Sequence, residues 1–374
     1  MHPVTWGNHK LTTVYFDGAS IAALTAAARL SKANFQTIIN PTNLNHYQNT
    51  KIDGFEFDSA PLFTLPAVYR DFFQKTGKHF GQVLDVKPAD LAFVFNFPDL
   101  TINFANLSRG ERLLEIERKL GTNAARQWDI ALKQGEALWD QIRENYFEVE
   151  FSWRKFNLSA YLKLSKPRVT DPYLQKILSH YATYLGYPAG IYKWSHILAF
   201  VEESFGVWQI TGGQGALVAA LQQRALELGA KFENKAIADA DFHIDATEVH
   251  SQPPQRLIGI SDYPEELPLR SIYFSESGLT TDVYATKIGE TGDRYALVMG
   301  GDLTLTKFDS YARVEQFRPA IEGNSDNQII AKIRTTAPNR FRVRHMDSLA
   351  HAGICGELLA NAVRGIKNRP NHEH

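Results

Sequence analysis

The most constraining feature is a short apolar strand, Val14-Tyr15-Phe16, that runs into the turn Asp17-Gly18-Ala19-Ser20 and then into an alanine- and leucine-rich stretch ending at Leu30. Alanine and leucine are strong helix formers, and a second strand, Phe35–Ile39, follows directly, so the segment reads as a βαβ unit with a tight first turn. In a dinucleotide fold that turn carries three glycines: one makes the turn, one admits the pyrophosphate against the backbone, and one lets helix and strand pack closely. Here Gly18 remains, and Ser20 and Ala23 stand at the other two positions. The carboxylate expected to meet the ribose at the end of the second strand is replaced by Asn40, followed by Pro41. Asn40 can make one such hydrogen bond, without charge assistance.

A chain of 374 residues with 44% hydrophobic residues can bury two cores. Its 40 Lys and Arg balance 41 Asp and Glu, so composition gives no support to a nucleic-acid partner. The single cysteine, Cys355, excludes an intramolecular disulfide and a multi-cysteine metal centre, and a reducing, cytoplasmic setting is expected. Residues 1–10 lack the apolar core of a secretory signal, and no apolar run reaches spanning length. The 23 Phe, 15 Tyr and 6 Trp can supply an aromatic rim as readily as a core, which keeps peripheral membrane contact open. Oligomeric state is not legible.

Further along, alternation through Phe55 and Phe57 predicts a strand, and Pro66 a helix start that closes at Gly77. Residues 91–104 read as strands turning near Pro98-Asp99, and helical spacing follows through Leu113–Leu120 and Trp128–Ile142. Asp171-Pro172 predicts a capped helix reaching a stop near Gly186-Tyr187-Pro188, and Trp194–Val201 is another apolar segment. The stretch Gly206–Leu217 returns to a turn and a helix that Gly229 ends. Strands are expected at 257–260, 271–274, 282–288 with 294–299 as a hairpin, 328–333 and 340–343, before a final helix at 353–366.

Four islands in this order resemble the phytoene desaturase-like branch of the FAD-dependent oxidoreductases, the group of carotenoid desaturases and retinol saturase. They are the βαβ unit; Asp53-Gly54-Phe55-Glu56-Phe57-Asp58-Ser59-Ala60-Pro61, with Ala60 in place of a family glycine; Phe205–Leu217 with its helix to Ala230; and Met346-Asp347-Ser348 through Gly353-Ile354-Cys355-Gly356. The resemblance implies an α/β architecture: an FAD/NAD(P)-binding Rossmann-like fold of the glutathione reductase type with an inserted α+β substrate domain. On that division residues 10–80, 205–250 and 328–374 form the FAD-binding-like domain, and 81–204 with 251–327 the substrate or partner domain. FAD is the implied cofactor, bordered by Gly18, Ser20, Ala23, Asn40, Asp347, Gly353, Ile354 and Gly356. The family's Gly-Gly-Arg element after the second strand has no match in residues 43–50.

Two function classes follow. One is a flavin-dependent desaturase or saturase acting on an unsaturated, apolar small molecule; a flavin carries the electron chemistry itself, so the absence of an assignable catalytic base does not oppose it. The other is a degenerate homologue without redox turnover that serves as a structural or regulatory partner. Side chains of residues 43–50, or His351, filling the flavin position would decide for the second. Gly18-Ala19-Ser20-Ile21-Ala22 also brushes the nucleophile turn of serine hydrolases, but no His and acid partners can be assigned. His345, His351 and Cys355 lack a recognised metal spacing, and Cys355 reads as a small buried residue. Asp347 reads as a flavin-orienting acid or a helix cap, and Glu202-Glu203 as a helix edge at which one or both face water.

Overall fold

The computed structural model describes residues 11–58, 62–144, 148–150, 166–184, 194–247, 254–289, 293–320, 337–343 and 349–367, with 159, 333 and 335. Five parallel strands form the first sheet: β1 (Thr13–Phe16), β2 (Gln36–Ile39), β10 (Lys231–Phe232), β11 (Phe242–Asp245) and β17 (Arg340–Arg342), in the spatial order β10-β2-β1-β11-β17. The strand order therefore reverses at β1, which puts a topological switch point at the carboxyl ends of β1 and β11. Tyr15 pairs with Ile38 on one side and His243 on the other, so the register of β1 is fixed from both neighbours. The central strands β1 and β2 are buried over their last three residues on both faces, whereas β11 and β17 alternate between buried and more exposed positions.

Helix α1 (Ile21–Lys32) crosses from β1 to β2 and is buried over nearly its whole circumference. It is sandwiched by α8 (Gly213–Glu227) and α9 (Leu349–Lys367), while α2 (Ala67–Thr76) and the short α3 (Phe80–Val83) close one side. Small residues permit this: a side chain at Gly356 of α9 would meet Ala22 O at 2.6 Å and Thr25 Cβ at 2.7 Å on α1. At the outer rim Arg29 reaches Asp71 (3.4 Å) and Glu357 (3.1 Å), and Lys75 reaches the same two acids, joining α1, α2 and α9.

The second sheet has seven strands ordered β16-β12-β15-β14-β13-β7-β8. They are β7 (Leu91–Asn96), β8 (Thr101–Ala105), β12 (Gln255–Ile260), β13 (Arg270–Phe274), β14 (Thr280–Lys287), β15 (Tyr295–Gly301) and β16 (Ala312–Arg318). All neighbours are antiparallel except β13 and β7. Helices α4 (Arg109–Leu120), α5 (Thr122–Ile142), α6 (Pro172–Tyr184) and α7 (Ser195–Phe205) build a core over its β7–β8 end, with Trp128, Phe93, Phe95 and Phe104 wholly buried. The hairpin β3 (Thr50–Ile52)–β4 (Phe55–Phe57) packs Phe55 and Phe57 on Leu257, Ala296 and Val298. Gly259 makes room for the Phe55 ring, which a side chain there would meet at 2.6 Å. A small sheet of β5 (Leu62–Phe63), β9 (Trp208–Ile210) and β6 (Val86–Pro88) links the segments around it.

Local signals explain most boundaries. Asp171 Oδ1 accepts from Tyr173 N and Leu174 N (both 3.0 Å) to cap α6, and Gly77 and Gly229 end α2 and α8 at positive φ. Pro66 precedes α2 as its N-cap rather than sitting in the first turn. The expected strand at 328–332 and the stop at 186–188 lie outside the described residues. Among the described helices none is long and apolar enough to cross a membrane.

On α7, His196 is fully buried and neither ring nitrogen makes a hydrogen bond among the described residues, so burial alone pulls its pKa down to about 4. The unfolded chain takes up a proton at this histidine near 6.5 while the folded chain does not. Stability from this residue is therefore complete above that pH and is lost as pH falls from 6.5 towards 4, by about 3 kcal/mol at the acid end. Urea midpoints measured across that window should slope downward in the wild type, and the slope should shrink in His196→Leu.

Candidate cofactor cleft

At the carboxyl end of β1 the backbone turns into α1 through Asp17-Gly18-Ala19-Ser20. The first amides of a helix have no intrahelical partner and form an anion seat when left open. Here the chain's own side chains take two of them and one amide of the turn before the helix. Ala19 N donates to Asn43 Oδ1 (2.5 Å), Ile21 N donates to the Tyr47 hydroxyl, and Ala23 N donates to Ser20 Oγ (3.2 Å). Asn43 Nδ2 donates in turn to Ala246 O (3.0 Å), and Asp17 Oδ1 accepts from Ala246 N (2.6 Å), so the loop after β11 closes the seat from the other side. Burial pushes the Tyr47 hydroxyl up to about 12, which keeps it a neutral phenol.

The two blocking residues flank one local structure, a 3-10 turn at Leu44–Tyr47 directly after β2. It occupies the stretch where the Gly-Gly-Arg element is absent from the sequence. Ala19, Ser20, Ile21, Ala22 and Ala23 are all between 0 and 6% exposed with only protein around them. A pyrophosphate needs those amides accessible, so the residues present do not fit the phosphates of FAD in this arrangement.

Each described residue proposed for the cofactor has a partner or a neighbour within the protein. A side chain at Gly18 would meet Ala246 O at 2.3 Å and Ala246 C at 2.6 Å, so this glycine admits the neighbouring loop's backbone. Ser20 is the N-cap of α1 and Ala23 is fully buried in that helix. Its cap role and burial also dispose of Ser20 as an exposed nucleophile. Asn40 Oδ1 accepts from Thr42 N (3.2 Å) and from the Thr42 hydroxyl. On α9, a side chain at Gly353 would meet Val68 Cγ1 at 2.7 Å, Gly356 lies against α1, and Ile354 is partly buried. Asp347 and His345 lie outside the described residues. Cys355 is buried in the first core, where burial raises its pKa to about 12.

The second and third islands do meet. Asp58 Oδ1 accepts from Gln214 N (3.3 Å) at the start of α8, and Asn49 Nδ2 donates to Gly212 O (3.2 Å) and Glu56 Oε1 (2.8 Å). Tyr69 on α2, whose hydroxyl donates to Leu349 O, ties the start of α9 to the same region. Sequence reasoning did not single out Tyr47, Asn43 within its turn, or Ala246; the local signal was the polar run Asn43–Thr50 where glycines were expected.

Asn43 satisfies both Ala19 N and Ala246 O, so Asn43→Ala strands two buried backbone groups, and we expect a loss of about 2 kcal/mol in urea denaturation. Asn43→Asp restores only the acceptor and should recover part of that loss.

No model of a known protein family matches the chain. A 4,4'-diapophytoene desaturase (4,4'-diaponeurosporene-forming) of Staphylococcus haemolyticus is 26% identical over 240 residues, covering 59% of this chain and 47% of that protein. A phytoene desaturase (neurosporene-forming) of Cereibacter sphaeroides is 25% identical over 243 residues, covering 59% and 46%. The chain thus matches about half the length of these curated relatives. Among solved structures, an oxidoreductase from Methanosarcina mazei superposes with a TM-score of 0.58 at 12% identity, over 96% of this chain and 100% of that one. A Rab GDI from Plasmodium falciparum superposes at 0.55 with 9% identity, over 95% and 98%. The chain is similar in sequence to phytoene desaturases and adopts a Rossmann-like α/β fold with a parallel sheet.

Proposed function

We propose that this chain is a homologue of flavin oxidoreductases that works without the dinucleotide, as a structural or regulatory partner rather than a redox catalyst. The observation that carries the reading is the closed first turn of α1, where Asn43, Tyr47 and Ser20 take amides that would otherwise face a pyrophosphate. Loss of two fingerprint glycines and of the ribose carboxylate agrees with it. Isothermal titration of FAD into the purified chain tests it: no saturable heat is expected, and stoichiometric binding contradicts the reading.

Sequence similarity to desaturases favours a second reading, an FAD-dependent desaturase or saturase acting on an unsaturated, apolar molecule. Under it Gly18, Ser20, Ala23 and Asn40 would border the FAD phosphates and ribose. Gly353, Ile354, Gly356 and Asp347 would border the flavin. That reading requires residues 43–47 to leave the α1 terminus on binding. In the same titration it predicts tight FAD binding, strengthened in the variant Asn43→Gly/Tyr47→Phe.

A further inference from the structure

None of the residues of the α1 cleft takes part in a second polar cluster, enclosed where α4, α6 and α7 meet β13 and β14. Arg112 and Glu203 have side chains 0% and 2% exposed, with Arg112 Nη1 3.8 Å from Glu203 Oε2. Arg270, 5% exposed, lies 3.9 Å from Glu202 Oε1 and 4.0 Å from Asp282 Oδ2. His180 Nε2 is 3.5 Å from Asp282 Oδ1. The three gaps to the guanidinium groups are too long for direct hydrogen bonds. Both Nη atoms of Arg112, Glu202 Oε2, Glu203 Oε2 and Asp282 Oδ1 are buried without a hydrogen bond among the described residues. Such groups are costly unless water or a proton completes them.

The charges divide unevenly. Glu203 has two guanidinium groups near it, Arg112 and Arg109, the latter at 3.6 Å and shared with Asp129 at 2.8 Å. Among the described residues Glu202 and Asp282 share one, Arg270, whose face is stacked on Phe93 at 4.4 Å. From α6, Tyr181 and His180 also face this pair; burial lowers the pKa of His180, so it supplies no charge. From α4, Arg112 acts on Glu202 from farther off and is engaged with Glu203. Asp282 is 26% exposed and can be hydrated, whereas Glu202 is 12% exposed. The Glu202–Arg270–Asp282 triad therefore has one negative charge too many, and Glu202 is the member least able to hold it.

We propose that this triad is a proton-binding site, with one proton held on Glu202 at neutral pH. Burial, the largest influence on Glu202, raises its pKa in agreement, against the lowering effects of Arg270 and Tyr181. The unfolded chain releases this proton near 4.5, so the stability tied to it diminishes as pH rises from there through the raised folded value.

Infrared spectroscopy of the intact protein at neutral pH tests the site. The wild type should show the carbonyl stretch of a protonated, buried carboxyl group, shifted in D2O. Glu202→Gln should abolish the band. Asp282→Asn should abolish it too, because Glu202 then has Arg270 to itself and ionises. Glu203→Gln should leave it. No such band in the wild type, or a band that survives Glu202→Gln or Asp282→Asn, overturns the proposal, and the wild-type spectrum decides even if a variant fails to fold.

Discussion

Gly18→Val should unfold at markedly lower urea concentration than the wild type, by about 3 kcal/mol or more, and by the same amount with or without FAD present. The new Cβ would sit 2.3 Å from Ala246 O and 2.6 Å from Ala246 C, and these are backbone atoms held by Asp17 and Asn43. Relief requires the β11 loop to move and to give up both of those bonds. Gly365→Ala in α9, with nothing within 4 Å, is the control: it should stabilise by about 0.5–1 kcal/mol through helix propensity. A Gly18→Val protein with wild-type stability and impaired FAD binding would instead assign this glycine to a ligand.

The second large effect is expected at Arg112. Its side chain is fully buried, Nε donates to Ala105 O (2.6 Å), the guanidinium covers the Phe104 ring at 5.3 Å, and Nη1 faces Glu203. Arg112→Met keeps volume but leaves Glu203 with Arg109 alone, so a loss of about 3 kcal/mol is expected in chemical denaturation at neutral pH. The burial that raises the pKa of Glu203 then acts with less opposition, because Arg112 is the largest influence lowering it. The double variant Arg112→Met/Glu203→Leu should recover much of the loss, since replacing both members of a buried pair costs less than orphaning one. A double variant as unstable as the single one would show that Arg112 acts through its packing and the Ala105 bond.

Much of the frame was legible because periodicity and caps act locally. The βαβ unit, the hairpin of β14 and β15 and the Asp171 cap all follow from residues within a few positions of each other. The cleft was only half legible, for a definite reason. The sequence places Gly18 and Gly356 at the border of FAD, and a close backbone approach is what both provide; the approaching group, however, is the Ala246 loop in the first case and α1 in the second. A requirement for a small residue does not say what fills the space. The Asn43 and Tyr47 contacts were hidden because they run from an irregular segment to amides more than twenty residues away, where no periodic pattern records them. The expectation that one or both of Glu202 and Glu203 face water also gives way: Glu203 is 4% exposed, and Glu202 turns inward toward Arg270. The surroundings of Glu202 come from β13 and β14, far later in the chain, and those of Glu203 from α4, far earlier.

The most direct test of the central claim is the near-ultraviolet and visible absorption spectrum of the protein purified without added cofactor, repeated after incubation with FAD and removal of free ligand. A closed α1 terminus predicts a protein peak alone in both samples. A retained flavin spectrum in either would contradict the account, and would mean that Asn43 and Tyr47 yield their amides to the dinucleotide.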